Sequence, residues 1–149
     1  MEINRFTIRV YGLWINQNQE VLLVHEKMPQ LHFTKFPGGG MEFGEGTRAC
    51  LAREFFEETN VEVEVKEHLY TTDIFQPSAF KNGHQLMAIY YRVEPKSTNA
   101  IVDLTERQIM INGKTEILRF FWSSLKNFEI DQLTFPIDKI VARKFLLNL

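Results

Sequence analysis

The 149 residues, 44% of them hydrophobic and 24% charged, suffice for one domain with a real core, and we read 1–149 as a single domain. A formal net charge of −2 gives no general attraction to nucleic acid or to an anionic membrane, so recognition of phosphate has to be local or carried by a metal. The single cysteine, Cys50, excludes an intrachain disulfide and argues for the cytoplasm, while MEINRFTIRV is no signal peptide and no apolar run reaches membrane-spanning length.

Arg5 to Ile15 reads as a strand, Asn16 to Gln19 as a polar turn and Glu20 to His25 as the returning strand of a hairpin. Strand exchange or edge pairing at this hairpin is a route to a homodimer. Glu26 to Lys35 reads as a loop that leads into Phe36, Pro37 and three glycines, where only glycine lets backbone approach a ligand closely or take positive φ.

A helix follows the glycines. At about 100° per residue, Glu54, Glu57 and Glu58 share one face, with Ala49, Ala52, Phe55 and Phe56 expected on the core side. Carboxylates stacked near a helix C-terminus oppose the macrodipole and repel one another. A hard divalent cation relieves that repulsion, and Mg²⁺ is commonly shared between one or two carboxylates and substrate phosphates. A Glu-rich surface helix is the plain alternative. Cys50, four residues before Glu54, reads as a small, partly buried core residue.

Beyond the helix, Val61 to Phe75 alternates as a long strand, bent or interrupted, then Gln76 to Gly83 forms a loop and His84 to Val93 a further strand. Glu94 to Glu106 is polar and carries no clear assignment. Gln108–Ile111 and Glu116–Trp122 flank Asn112-Gly113, a strong two-residue turn signal, and predict a hairpin. Pro136 suits the first turn of a closing helix that runs to about Leu147, with Ile137, Ile140, Val141, Phe145 and Leu146 at core spacing. This order predicts an α/β (more strictly α+β) fold with a mixed β-sheet between helical layers.

Gly39, Glu45, Arg53, Glu54, Phe55, Glu57, Glu58 and Val61 resemble the signature of the Nudix hydrolases, G-x5-E-x7-R-E-U-x-E-E-x-G-U, where U is bulky and aliphatic or aromatic. One position departs, Asn60 for Gly, where the helix has to end on a left-handed residue; asparagine is the commonest substitute there. The resemblance implies the Nudix α/β/α sandwich and Mg²⁺-dependent hydrolysis of a diphosphate bond in a nucleoside diphosphate linked to another moiety. Nucleoside triphosphates, ADP-ribose and nucleotide sugars are the competing substrates. Mn²⁺ is the alternative metal, and the partner is a small-molecule nucleotide.

The resemblance also implies residue roles. Glu54, Glu57 and Glu58, with a backbone carbonyl of Gly38 or Gly39, would hold the metal, and Glu54 would either ligate it or accept a proton from the attacking water. Arg53 and Glu45 would hold the loop and the carboxylates in geometry. Glu116 is the candidate fourth acid, with Glu106 and Asp103 behind it. Pro77, sixteen residues past Val61, has a spacing similar to one associated with ADP-ribose-cleaving members.

Substrate contacts are less legible. Phe33, Tyr70, Phe80 and Phe135 could stack on a base, Asp138 could read a base edge, and Lys27, Lys35 and Arg92 are scattered candidates for phosphate. His25, His32, His68 and His84 lack metal-ligand spacing. Two other readings remain: a non-catalytic Nudix domain that binds a nucleotide as a sensor or scaffold, and an enzyme for a non-nucleotide diphosphate such as an isoprenoid or inositol phosphate.

Overall fold

The computed structural model describes residues 2–111 and 113–147, with eight strands and two α-helices among them. In chain order these are β1 (Arg5–Leu13), β2 (Glu20–Met28), β3 (Leu31–Lys35), β4 (Gly38–Gly40), α1 (Thr47–Thr59), β5 (Val63–Thr71), β6 (His84–Pro95), β7 (Arg107–Ile111), β8 (Lys114–Ser124) and α2 (Pro136–Phe145), with a 3₁₀ turn at Ile130–Gln132. The class is mixed α+β, as expected, with the strands divided between two four-stranded sheets. Asn112, half of the expected turn dipeptide, lies outside the described residues.

The chain forms two compact units. One holds the residues up to Leu13 and Gly38–Ala100, the other Trp14–Pro37 and the residues from Ile101 onward. The first unit carries the mixed sheet, ordered β4-β1-β6-β5, in which β1 runs parallel to β6 from Arg5 opposite His84 to Leu13 opposite Arg92. Its other pairings are antiparallel, and β5 bulges twice, between Val65 and His68 and between His68 and Tyr70. That is the interruption expected after Val61, although the strand ends at Thr71. Leu51 and Phe55 of α1 are fully buried with Val10, Ala88 and Tyr90, each large apolar side chain contributing roughly 1.5–3 kcal/mol by burial.

The second unit carries an antiparallel sheet, β3-β2-β8-β7. Its α2 follows the rules of an ordinary helix: Pro136 in the first turn, Asp138 near the N-terminus, Arg143 and Lys144 in the last turn. Ile137, Val141 and Leu146 are buried, and the helix entry is fixed to β3 by the Thr34 N–H donating to Thr134 Oγ1 and the Thr134 N–H to the Thr34 carbonyl.

Two expectations fail here. Residues 26–35 are not a loop: β2 continues to Met28, and a tight turn at Pro29 and Gln30 leads directly into β3. Nor do β1 and β2 form the expected hairpin. The turn at Asn16–Gln19 exists, closed by Asn16 Oδ1 accepting from the Asn18 and Glu20 N–H groups, but only Ile15 and Val21 bridge across it. Both β1 and β2 are interior strands of different sheets, so neither offers the free edge that a dimer through this hairpin needs.

Candidate functional site

The first unit builds its site from β4, the loop after it and α1. The helix starts at Gly46 without a side-chain cap and ends at Asn60, whose φ of 58° and ψ of 22° are left-handed and whose N–H donates to the Phe56 carbonyl. Its last turn carries Glu57 and Glu58 and no basic residue, the reverse of α2. Arg48 ties its start to the bulged part of β5, donating to the Val65 and Lys66 carbonyls at 2.7 Å each, and Thr47 shares a 2.7 Å hydrogen bond with the Tyr91 hydroxyl.

The buried side of α1 differs from the one expected. Phe55 is buried, but its partners are Cys50, Leu51 and Thr59, while Ala49 and Phe56 face solvent and Ala52 is half-buried. Glu54 and Glu58, four and eight residues after Cys50, are half-buried in line with it. The carboxylates therefore turn towards the protein, and only Glu57 stands in solvent, its side chain 56% exposed.

Arg53 gathers them. Its Nε and Nη2 grip Glu45 in a bidentate pair at 2.9 and 2.6 Å, Nη1 donates to Glu54 at 3.0 Å and Glu57 at 3.2 Å, and Nη2 also donates to the Gly40 carbonyl at 3.1 Å. Glu42 lies 3.7 Å from Nη1, and its N–H donates to Glu45. These bonds hold the Glu45 carboxyl down at about 2, the Arg53 guanidinium first and the Glu42 N–H second, and Glu45 in turn raises Arg53 above its ordinary range. The Cys50 thiol behind them, fully buried, is pushed up to about 12 by desolvation and then by the Glu45 charge. Neither Glu42 nor the Gly40 carbonyl was expected in this network. The acidic loop hinted at the first; which of three glycine carbonyls meets the guanidinium depends on strand register.

The glycines set the distances. A Cβ on Gly39 would lie 2.3 Å from the Glu54 carboxyl carbon and about as close to both its oxygens, at 2.5 and 2.6 Å, so the missing side chain is what lets this carboxylate rest against β4. Gly38 has φ +150°, and a Cβ there would meet the Val10 carbonyl oxygen at 2.0 Å. As placed, no three His, Cys, Asp or Glu side chains among the described residues enclose a metal ion. The donor set still fits Mg²⁺, which asks for one or two carboxylates and keeps several waters: Glu54 and Glu57 converge on Arg53 Nη1, and Glu54 lies against the β4 backbone.

The remaining candidates have other surroundings. Glu116 is buried on β8 of the second unit, Glu106 pairs with Lys27 at 3.4 Å, and Asp103 accepts from the Thr105 N–H and hydroxyl. Lys35 is buried and pairs with Glu26 at 3.1 Å, and Arg92 pairs with Glu67 and Glu94. Phe33 is buried against Phe135 at 5.2 Å, Asp138 is buried in α2, the Tyr70 hydroxyl donates to Asp73, and Phe80 packs on Arg9. Pro77 bridges to Gln85. His25, His68 and His84 each hydrogen-bond a threonine, Thr34, Thr71 and Thr7, and the His32 ring meets that of His25 edge-on. Among the described residues no helix is long and apolar enough to cross a membrane.

Comparisons with known proteins bear on the fold and the family. The MutT protein of Methanosarcina mazei Go1 has a similar structure, with a TM-score of 0.68 and 18% identity over 95% of this chain and 94% of its own. The E. coli ORF135 protein gives 0.67 and 18% over 95% of this chain and 89% of its own. At such identity both speak for the fold. The mouse protein nucleoside diphosphate-linked moiety X motif 6 is 32% identical over 133 residues, 88% of this chain but only 38% of the relative. A family model, the NUDIX domain, matches residues 5–144. With that match spanning the glycine strand, the acidic helix and both sheets, the chain belongs to the Nudix family.

Proposed function

We propose that this chain is a Mg²⁺-dependent hydrolase that cleaves the diphosphate bond of a nucleoside diphosphate joined to another moiety. The observation that carries the reading is the Arg53 hub, which binds Glu45 of the loop, Glu54 and Glu57 of the helix and the Gly40 carbonyl in one planar group. A surface arginine needs no such set of partners, whereas a site that must hold several carboxylates in fixed relation does. The name of the mouse relative refers to nucleoside diphosphate-linked moieties, which supports the substrate class.

In this reading Glu54, Glu57 and Glu58, with the Gly38 carbonyl, would hold the metal. When bound, Mg²⁺ offsets the charge of the phosphates and makes a water a better nucleophile for in-line attack. Mn²⁺ has the same preference for oxygen and would substitute. Glu45 and Arg53 fix the loop on the helix. Gly39 lets Glu54 stand against β4, where its carboxylate can accept a proton from the attacking water. Glu116 is retained as a further acid. The family match across residues 5–144 supports treating both compact units as one domain, and the single, buried cysteine supports a cytoplasmic setting.

The test is product analysis on nucleoside triphosphates, ADP-ribose, nucleotide sugars and dinucleoside polyphosphates, with Mg²⁺ and with EDTA. Turnover that needs the metal, and that drops at least about 100-fold in Glu57→Gln while the folded fraction stays constant, is the expected result. Tight nucleotide binding without turnover would replace the hydrolase with a sensor, and full activity in Glu57→Gln would remove that residue from the metal. Glu116→Gln in the same panel tests the further acid.

A further inference from the structure

As the site stands, Arg53 has no donor to spare for a substrate, and Arg48 at the start of α1 is turned to the Val65 and Lys66 carbonyls of β5. A guanidinium has five N–H donors, and all five of Arg53 are committed: Nε to Glu45, Nη1 to Glu54 and Glu57, Nη2 to Glu45 and Gly40. A second guanidinium reaches the same glycine strand from the opposite face. Arg9 stands opposite Gly40 in the β1–β4 register, one residue from the Val10–Gly39 pair. Its Nη1 lies 3.9 Å from where a Cβ of Gly40 would be, and apart from the chain neighbours of Gly40 no other heavy atom of the described residues comes within 4 Å of that point. The Cβ direction of Gly39 points at Glu54 instead. Consecutive residues of β4 thus have a carboxylate on one face and a guanidinium on the other.

Arg9 is also held in place. Its Nε donates to the Tyr11 hydroxyl at 2.6 Å, and its Cζ lies 4.9 Å from the Phe80 ring centroid and 5.6 Å from that of Tyr11. The loop bearing Phe80 is pinned to β6: Ser78 N–H donates to the His84 carbonyl, Leu86 N–H to the Gln76 carbonyl, and Phe80 N–H to Ser78 Oγ. A guanidinium fixed before its ligand arrives loses less freedom on binding, and its planar edge suits two phosphate oxygens.

We propose that Arg9 is a substrate-positioning residue, which binds the second phosphate of a diphosphate laid across the glycine edge of β4 while the first stands at the Glu54 side. The inference rests on the hydrolase reading for its substrate class, but not for its binding test. It favours ligands with two adjacent anionic phosphates over monophosphates, because a monophosphate reaches only one face of the strand.

The experiment compares wild type with Arg9→Ala, Arg9→Lys and Tyr11→Phe, which removes the hydroxyl that orients Nε. Calorimetry with Mg²⁺ measures binding of α,β-methylene-ADP, whose phosphorus–carbon bridge resists hydrolysis, and of AMP. The expected result for Arg9→Ala is at least about a tenfold loss for the ADP analogue and less than about threefold for AMP. Arg9→Lys recovers part of the loss, and Tyr11→Phe shows a smaller one. With a substrate from the panel above, KM rises by a similar factor while kcat stays within about threefold. Equal losses for both ligands, a loss in kcat alone, or wild type that binds neither ligand would each overturn the proposal. Wild type that binds the analogue through Arg9 yet hydrolyses no diphosphate keeps this inference and ends the hydrolase reading; turnover with a KM indifferent to Arg9 does the reverse.

Discussion

Gly39→Ala separates the geometry of the site from the stability of the fold. The new methyl would stand 2.3 Å from the Glu54 carboxyl carbon, against about 3.5–4.0 Å for ordinary carbon–carbon contact, so the carboxylate has to retreat by at least about 1 Å. All three close atoms belong to the end of a flexible side chain, so the fold can give way. Loss of the partly exposed Glu54–Arg53 pair costs at most about 1 kcal/mol, and fewer unfolded conformations return roughly 0.4–1 kcal/mol, so the two nearly cancel. A melting temperature within about 4 °C of wild type is expected. Misplacing a reacting group by about 1 Å costs on the order of 10²-fold in rate, so kcat/KM should fall about 100-fold. Thermal unfolding and steady-state hydrolysis on the same preparation provide both numbers. Wild-type kcat/KM in this variant would refute the claim that the position of Glu54 matters. Gly38→Ala is the control with the opposite sign: its methyl meets backbone at 2.0 Å and its φ is +150°, so the protein should lose several degrees of melting temperature or fail to fold.

Three further outcomes follow from other parts of the site. Because the Glu45 carboxyl is held below its ordinary value of 4.5, at about 2, its pairing with Arg53 stabilises the fold fully above pH 4.5 and is lost as pH falls towards 2. Acid titration of stability should show a step in that window that Glu45→Gln lacks; identical curves would exclude the pair as its source. Asn60→Gly should leave activity unchanged and melting within a few degrees, since glycine takes the left-handed cap freely; lost turnover would mean that Asn60 does more than end α1. Cys50, fully buried with its thiol pushed up to about 12, should react with a thiol reagent at pH 8 only as fast as the protein unfolds, and rapid labelling of folded protein would contradict that burial.

What could be read in advance was local. The end of α1 at its asparagine, the parts of the β7–β8 ladder and the start of α2 all follow from signals within a few residues of where they act. The failures were of long range. Arg5 finds His84 as its parallel partner, and nothing in the turn at Asn16 announces that β1 leaves β2 for a strand so distant in sequence. β3 is hidden in the sequence because Pro29 and Gln30 make a turn without glycine and the strand does not alternate: after exposed His32, Phe33, Thr34 and Lys35 are all buried. The buried side of α1 is hard to read because apolar residues surround this helix nearly evenly; Glu54 and Glu58 share the inward sector with Cys50, Leu51 and Phe55, and Phe56, about 160° round the helix from both carboxylates, is left outside it. The position of Arg9 opposite Gly40 likewise needed the strand register.

The lengths of the bonds to Arg53 make it an asymmetric clamp. Towards the loop it holds Glu45 by two short bonds, 2.6 and 2.9 Å, with its partner mostly shielded from water; towards the helix it holds Glu54 and Glu57 by single bonds of 3.0 and 3.2 Å, the latter on a side chain open to solvent. Competition for these carboxylates therefore breaks the clamp at one jaw only. Glu57 is released first and Glu54 next, while the loop stays fastened through Glu45 and Gly40. The carboxylates can change partners without the glycine strand losing its place.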